Sequence, residues 1–275
     1  MSILSIPHAV PKAIVFDWHA TLADTMDAMY YALDEVLPRL EELGLVDRLL
    51  KAEDCKTVDD AKLLKYVKEC RQLHPKIKAD RKISRTDIFE ILFGSDEEAK
   101  HIAHKAFDQA YKNHYGIVAP LEKHLRDVLL ELKGLELKGL ELKLGVLTNR
   151  NREFMEHELA VIDVTGWTDL FDTVVCGDDT SRRKPAPDPI IKAFENLGLK
   201  PSLKCWYVGD STTDIVAGKE AGVTAIFYNG AGWDHGWIDK IFPGTTRHPH
   251  CPDAVVDSFR ELSRLVRVYL CPDEG

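Results

Sequence analysis

The chain has 275 residues, 45% hydrophobic and 29% charged, with a formal net charge of −9. Such a length and apolar content suffice for one large core or two modest ones, and the acidic balance argues against general affinity for nucleic acid or an anionic membrane surface. No apolar stretch approaches a membrane span; six scattered cysteines without a Cys-x-x-Cys pair and no secretory leader at Met1-Ser2-Ile3 make reduced thiols in a cytoplasm the expectation.

In chain order, the apolar run 12–17 predicts a buried first strand that ends at Asp17 and breaks into the tight loop Trp18-His19-Ala20-Thr21-Leu22. A carboxylate at that mouth suits a nucleophile. Residues 24–118 show helical periodicity and no convincing strand, which predicts an inserted helical domain able to act as a lid. Its helices are expected at 24–43, with a kink at Pro38, at 57–73, and at 95–115, starting at Ser95 ahead of Glu97 and Glu98. The stretch 62–85 is rich in Lys and Arg, among them Lys62, Lys65, Lys78 and Arg81. A solvated basic face is the ordinary explanation, and steering of an anionic substrate the functional one.

Residues 131–143 repeat Glu-Leu-Lys-Gly-Leu with a period of five, which matches neither helix nor strand and reads as a tandem duplication lengthening a connection. Further apolar runs at 142–148, 172–176, 204–209, 223–228 and 254–256 alternate with amphipathic helical stretches. The expected fold is α/β: a doubly wound, Rossmann-like parallel sheet core over 1–23 and 119–275, with an all-helical cap inserted over 24–118. Cys176 and Cys205 lie inside strand-like runs and read as small buried hydrophobes. In the tail from Gly230 to Pro252, His248, His250 and Cys251 resemble part of a zinc site but lack a second ligand group at finger spacing, so a structured surface loop is expected. Trp233 and Trp237 in that loop are candidates for an interface, while oligomeric state is not encoded in the pattern.

Ligands of a doubly wound sheet bind beyond the carboxyl ends of its strands, and four signals fall at such ends: Asp17, Thr148-Asn149, Lys184-Pro185 and Gly209-Asp210-Ser211-Thr212-Thr213-Asp214. Three acids meeting in one cavity, Asp17, Asp210 and Asp214, repel one another, and a hard cation resolves the repulsion. Mg²⁺ is the expected ion because it favours oxygen ligands and bridges carboxylates to phosphate. Asp210 is expected to double as a helix cap. Thr148 and Asn149 supply a hydroxyl, an amide and backbone N–H groups suited to cradling phosphate oxygens, and Lys184 offers an ammonium against the charge of nucleophile and phosphoryl group. Arg182 and Arg183 are expected to be solvated.

Phe16-Asp17-Trp18-His19-Ala20-Thr21-Leu22, Leu147-Thr148-Asn149, Lys184-Pro185-Ala186-Pro187 and Gly209-Asp210-Ser211-Thr212-Thr213-Asp214 resemble the four motifs of the haloacid dehalogenase-like hydrolase superfamily. The helical segment 24–118 resembles the cap that its phosphoglycolate phosphatase and beta-phosphoglucomutase branches insert after the first motif. The resemblance implies a phosphatase acting on a small phosphorylated metabolite, with Asp17 attacking phosphorus in line to form an aspartyl-phosphate that water hydrolyses. It also implies that Asp17, the backbone carbonyl of His19, Asp210 and Asp214 make the Mg²⁺ site, that Thr148 binds phosphoryl oxygens, and that Lys184 neutralises charge.

The sequence departs from that pattern at His19, where phosphatases of the superfamily carry a second Asp that protonates the leaving alcohol and activates water. A backbone carbonyl does not depend on its side chain, so the metal site should survive; proton transfer is what changes. An imidazole with an ordinary pKa of about 6.5 can serve as acid or base, and the two readings of His19 are acid/base residue and position filler. Rival functions are a phosphonate hydrolase with a Schiff-base lysine drawn from Lys51, Lys56, Lys62, Lys65 or Lys68, a metal-free haloacid dehalogenase, a mutase, and a catalytically weak phosphate-binding protein. The motifs leave the identity of the substrate open.

Overall fold

The computed structural model describes residues 9–55, 57–83, 85–134, 142–163, 166–244 and 249–270. Its elements begin with β1 (Ala13–Asp17) and the two-residue β2 (Ala23–Asp24). Five helices follow: α1 (Met26–Val36), α2 (Val58–Cys70), α3 (Pro75–Asp80), α4 (Arg85–Phe93) and α5 (Glu97–Tyr111). Next come β3 (Ala119–Pro120), α6 (Leu125–Lys133), β4 (Lys143–Leu147), α7 (Arg152–Ile162), β5 (Thr173–Val175), α8 (Asp188–Asn196) and β6 (Cys205–Gly209). The chain ends with α9 (Thr212–Glu220), β7 (Thr224–Tyr228), α10 (His235–Ile241), β8 (Ala254–Val256) and α11 (Phe259–Leu270). The chain divides into two compact units, residues 1–24 with 118–275, and residues 25–117.

In the larger unit all six predicted runs become strands of one sheet in the order β5-β4-β1-β6-β7-β8, every pair parallel. Because the strand order reverses beside β1, the loops after β1, β4 and β6 open around a shared crevice at the carboxyl edge. The alternation of side chains sorts the strands onto two faces. Ile14, Phe16, Leu144, Val146, Trp206 and Val208 pack against Leu129 of α6, Met155 and Leu159 of α7, and Phe259 and Leu262 of α11. Ala13, Val15, Cys205 and Tyr207 face Ile190 and Phe194 of α8 and Ala217 of α9. Each large apolar side chain so buried contributes about 1.5–3 kcal/mol, which is why these runs are apolar on both faces. Cys176 and Cys205 are buried free thiols, as their settings suggested.

Outside the main sheet, β2 pairs antiparallel with β3. This ribbon went unseen in the sequence, since two residues per strand are too few to set up an alternation. The repeat at 131–143 lies mostly outside the described residues, as does His248. His250 faces Glu220 at 4.0 Å and the Cys251 thiol donates to the Phe242 carbonyl at 3.3 Å, so neither is aimed at a common ion. No helix among the described residues is long and apolar enough to cross a membrane.

Every described element of residues 25–117 is helical. The first helix is shorter than its periodicity predicts, because Pro38 falls in a 3-10 turn, Leu37–Arg39, that ends α1 instead of kinking it. Helix α2 starts on a capping box in which Thr57 and Asp60 satisfy each other's backbone N–H groups. The cap of α5 is Asp96, which accepts from the Ala99 N–H at 3.0 Å, so the predicted start at Ser95 is one residue early. The basic stretch is largely partnered within its own unit: Lys62 meets Asp59, Lys78 meets Asp34 and Arg81 meets Asp27. That pairing favours the solvated face over substrate steering.

Gly145 in β4 shows how tightly the sheet is filled, since a Cβ there would lie 2.7 Å from Thr173 Cγ2 and 3.2 Å from Val15 Cγ2. We expect Gly145→Ala to destabilise the protein by about 1–3 kcal/mol through overpacking. Adding Thr173→Ser, which removes the clashing methyl group, should recover part of that loss in chemical denaturation.

Candidate functional site

Asp17, at the carboxyl end of the central strand, is only 7% exposed. Register places the other loops beside it: Asp17 pairs with Leu147, so Thr148 and Asn149 stand one and two residues farther along the next strand. Phe16 pairs with Val208 on the other side, so Asp210 follows just beyond the sheet edge. Asp17, Asp210 and Asp214 each bring a carboxylate oxygen within 4.8 Å of the others. Asp17 and Asp210 are therefore close enough to share one ion.

Lys184 enters this acidic cluster from the loop before α8. Its ammonium donates to Asp17 Oδ1 at 2.6 Å, to Asp214 Oδ1 at 2.7 Å and to the Tyr207 hydroxyl at 2.9 Å. Tyr207 in turn donates to Asp214 Oδ1 at 2.9 Å. The lysine backbone is gripped as well: Asn149 Nδ2 donates to the Lys184 carbonyl at 2.9 Å, and Asn149 Oδ1 accepts from the Lys184 N–H at 2.9 Å. The side-chain amide of Asn149 is thus spent on aiming Lys184, which leaves its backbone N–H as the group suited to phosphate. Thr148 is buried, and its hydroxyl accepts from the Arg150 N–H at 3.1 Å.

Asp214 is held by the start of α9. Ser211, not Asp210, is the helix cap: its hydroxyl accepts from the Asp214 N–H, and Asp214 Oδ2 accepts from the Ser211 N–H at 3.0 Å. The expectation that Asp210 caps the helix is corrected accordingly; Asp210 stands one residue earlier and accepts from the Thr21 hydroxyl at 3.1 Å. The glycine before it is sterically required, because a Cβ on Gly209 would lie 2.4 Å from the Asp214 carboxyl carbon. Arg183 is also not a purely solvated residue, since its guanidinium donates to Asn151 Oδ1 at 2.6 Å and to the Gly177 carbonyl at 3.2 Å, tying the loops after β4 and β5 together.

Charge crowding shows in the acidities. Burial pushes the Asp17 carboxyl up to about 7, with Asp214 adding to the rise and Lys184 opposing it. Burial also disfavours charge on Asp214 and Lys184, yet Asp214 is held below the usual carboxylate range by Lys184, Ser211 and Tyr207, and Lys184 is held protonated by Asp17 and Asp214. Burial first, then the neighbouring carboxylates, keep the Tyr207 phenol neutral. One ammonium among three carboxylates leaves an excess of negative charge on an all-oxygen donor set, which fits a small hard divalent cation.

The loop after Asp17 is tight. Ala23 N–H donates to the Trp18 carbonyl at 2.8 Å and Ala20 N–H to the Ala23 carbonyl at 2.9 Å, with Ala20 in the left-handed region at φ 57°. Trp18 Nε1 donates to Glu158 Oε2 of α7 at 2.7 Å, and His19 Nε2 lies 3.7 Å from the same oxygen. The sequence reading missed Glu158 and Tyr207. Glu158 had a signal, because it lies three residues after Met155 and four before Ile162 on the buried stripe of α7, where a carboxylate is out of place. Tyr207 had none, since a tyrosine inside an apolar strand is ordinary core composition.

A family model described as haloacid dehalogenase-like hydrolase matches residues 14–228. Phosphoglycolate phosphatase of Escherichia coli strain K12 is 36% identical over 136 residues, 47% of this chain and 48% of that protein, so the chain spans about half the length of the curated relative it matches. A haloacid dehalogenase superfamily hydrolase of subfamily IA from Geobacter sulfurreducens PCA has a similar structure, with a TM-score of 0.53 at 20% identity, covering 95% of this chain and 99% of that one. CbbY from Rhodobacter sphaeroides, solved with xylulose-1,5-bisphosphate, gives a TM-score of 0.52 at 21% identity, covering 92% and 96%. At such identities the structural likenesses speak to the fold.

Two outcomes are expected. Lys184→Ala, which leaves two buried carboxylates without their ammonium, should lower unfolding free energy by about 3–5 kcal/mol at neutral pH. Because the carboxyl of Asp17 is raised in the folded chain, its ionised form costs stability, negligibly at pH values below the ordinary 3.8 and fully above about 7. A cation that binds the ionised form should therefore raise the melting temperature more at pH 8 than at pH 5. Millimolar Mg²⁺ in a thermal-shift titration tests this, and equal shifts at both pH values would contradict it.

Proposed function

Since the chain belongs to the haloacid dehalogenase-like hydrolase family, we propose that it hydrolyses a small phosphate monoester by phosphoryl transfer to Asp17. The observation that carries this reading is the lysine-bridged cluster: one oxygen of Asp17 is fixed by Lys184 beside Asp210, at the mouth of the central strand. A protein that merely bound phosphate would gain nothing from a buried, desolvated carboxylate at that spot. Asp17, Asp210 and the backbone carbonyl of His19 would hold Mg²⁺, with Asp214 completing the acidic cluster, and the bound ion would neutralise charge on the carboxylates and phosphoryl oxygens.

In the first half-reaction an Asp17 oxygen forms a bond to phosphorus as the bond to the leaving alkoxide breaks, and the alkoxide takes a proton. In the second, water attacks phosphorus, releases Asp17 and gives up a proton. The Thr148 hydroxyl and the Asn149 backbone N–H take phosphoryl oxygens, and Lys184 offsets the charge that accumulates during both transfers. His19 occupies the sequence position of the family's second Asp, and on this reading it gives and takes the proton. The partition into an α/β core, 1–23 with 119–275, and a helical cap, 24–118, belongs to the same proposal. The matched relative and the sugar bisphosphate held by CbbY support a small phosphorylated substrate, and phosphoglycolate is the first candidate to test.

The phosphonate hydrolase reading lacks support, because Lys51, Lys62, Lys65 and Lys68 are all exposed, whereas a Schiff-base lysine works from a desolvated pocket. Lys56 lies outside the described residues. Lys100, the buried lysine among the described residues of that unit, is paired with Glu90 and Glu97, which outweigh its burial and raise its pKa.

Purified protein should release phosphate from phosphoglycolate or para-nitrophenyl phosphate in the presence of Mg²⁺ and lose that activity with chelator. Asp17→Asn should lower turnover by more than about 10³-fold. Activity that persists in Asp17→Asn would exclude the aspartyl-phosphate route.

A further inference from the structure

Glu158 is a wholly buried carboxylate, 0% exposed, on the inward stripe of α7. Burying a carboxyl group is costly unless it is engaged, and two of the groups it meets, Trp18 and His19, are the residues directly after the proposed nucleophile. We propose that Glu158 is the positioning residue for His19, forming with it a Glu-His pair that does the work of the carboxylate found at this position in other phosphatases of the family. The inference rests on the phosphatase reading for its consequence, though not for its geometry.

Three observations carry it. First, Trp18 Nε1 binds Glu158 Oε2 at 2.7 Å, which fixes where that oxygen lies. Second, the backbone of His19 is held by the closed loop 18–23, with Ala20 in a left-handed conformation, so the loop fixes the direction in which the His19 side chain leaves the backbone. Third, the ring presents Nε2 to the same oxygen at 3.7 Å, inside ion-pair reach and short of a formed hydrogen bond, a looseness usual for catalytic contacts before substrate binds. Oε2 already accepts from Trp18, so it meets the ring as an acceptor, which selects the tautomer with hydrogen on Nε2 and leaves Nδ1 as the ring's proton-accepting atom. The pair follows the logic of a carboxylate-oriented histidine, in which the carboxylate sets ring direction and tautomer while the imidazole exchanges the proton. In the second half-reaction Nδ1 would take the proton that attacking water loses, and the same proton would return to the next leaving alkoxide.

The test is a double-mutant cycle with Glu158→Gln and His19→Ala, read with para-nitrophenyl phosphate and an alkyl phosphate. A glutamine keeps the packing and can still accept from Trp18, but the oxygen it then sets before the ring belongs to a neutral amide, a weaker acceptor than a carboxylate. Glu158→Gln should lower kcat about 10- to 100-fold with little change in KM, with a larger loss for the alkyl phosphate, whose leaving group needs the proton. The double variant should be no slower than His19→Ala alone, because Glu158 acts only through the ring. Effects that multiply, or an unchanged kcat in Glu158→Gln, would overturn the proposal.

A readout independent of turnover is the ¹⁵N spectrum of the His19 ring above neutral pH. It should show the Nε2–H tautomer in the wild type and a changed tautomer balance in Glu158→Gln; identical spectra would also overturn the proposal. If the wild type released no phosphate yet showed this tautomer shift, the phosphatase reading would fail while the Glu158–His19 pairing stood.

Discussion

A single ammonium, that of Lys184, stands between Asp17 and Asp214 inside a sheet edge from which water is largely excluded. Without it two carboxylates would face each other across a low-dielectric gap, where repulsion is many times stronger than in water. Much of the surrounding detail serves to place that one group. Asn149 grips the lysine backbone from both sides, Tyr207 bridges lysine and Asp214, and the capping box at Ser211 turns Asp214 toward them. A network of hydrogen bonds of this kind holds its members in one geometry, and a fixed geometry is what the proposed in-line displacement at phosphorus requires.

The sheet supplies the convergence. Residues more than a hundred positions apart meet because β4 and β6 flank β1 in parallel register, so that three loops end at one edge. The close approaches are enforced by small residues at particular points. Gly209 makes room for the Asp214 carboxyl, and Gly177, whose Cβ would lie 2.2 Å from the Asn149 carbonyl oxygen, lets the loops after β4 and β5 touch. Stability and site geometry therefore draw on the same contacts, and a change to either glycine would disturb both.

The replacement of a carboxylate by His19 is less isolated than it looks in one dimension. Behind the imidazole lies Glu158, and beside it Trp18, whose indole packs edge-on against Trp167 with centroids 6.3 Å apart. An acid has in effect been moved back by the length of a ring. The carboxyl group that the family ordinarily places next to its nucleophile has a counterpart here on a helix, buried, and on the proposed pairing it acts through an imidazole.

The sequence by itself determined the parallel α/β sheet, because short runs apolar on both faces, ended by Gly, Asn or Asp and alternating with amphipathic helices, fit covered strands, and it determined the ordered set of motifs around Asp17, Thr148, Lys184 and Asp210. It also carried an overlooked clue in Glu158, a carboxylate on the apolar stripe of α7. Only the tertiary structure decided that the Asn149 amide holds Lys184 instead of serving a phosphate oxygen, that Ser211 caps α9, that Arg183 ties two loops, and that the Tyr207 hydroxyl reaches the charged cluster. The division has a physical cause. Periodicity records which side of an element is buried, whereas hydrogen-bond partners depend on angstrom-scale distances between segments that the register of the sheet brings together.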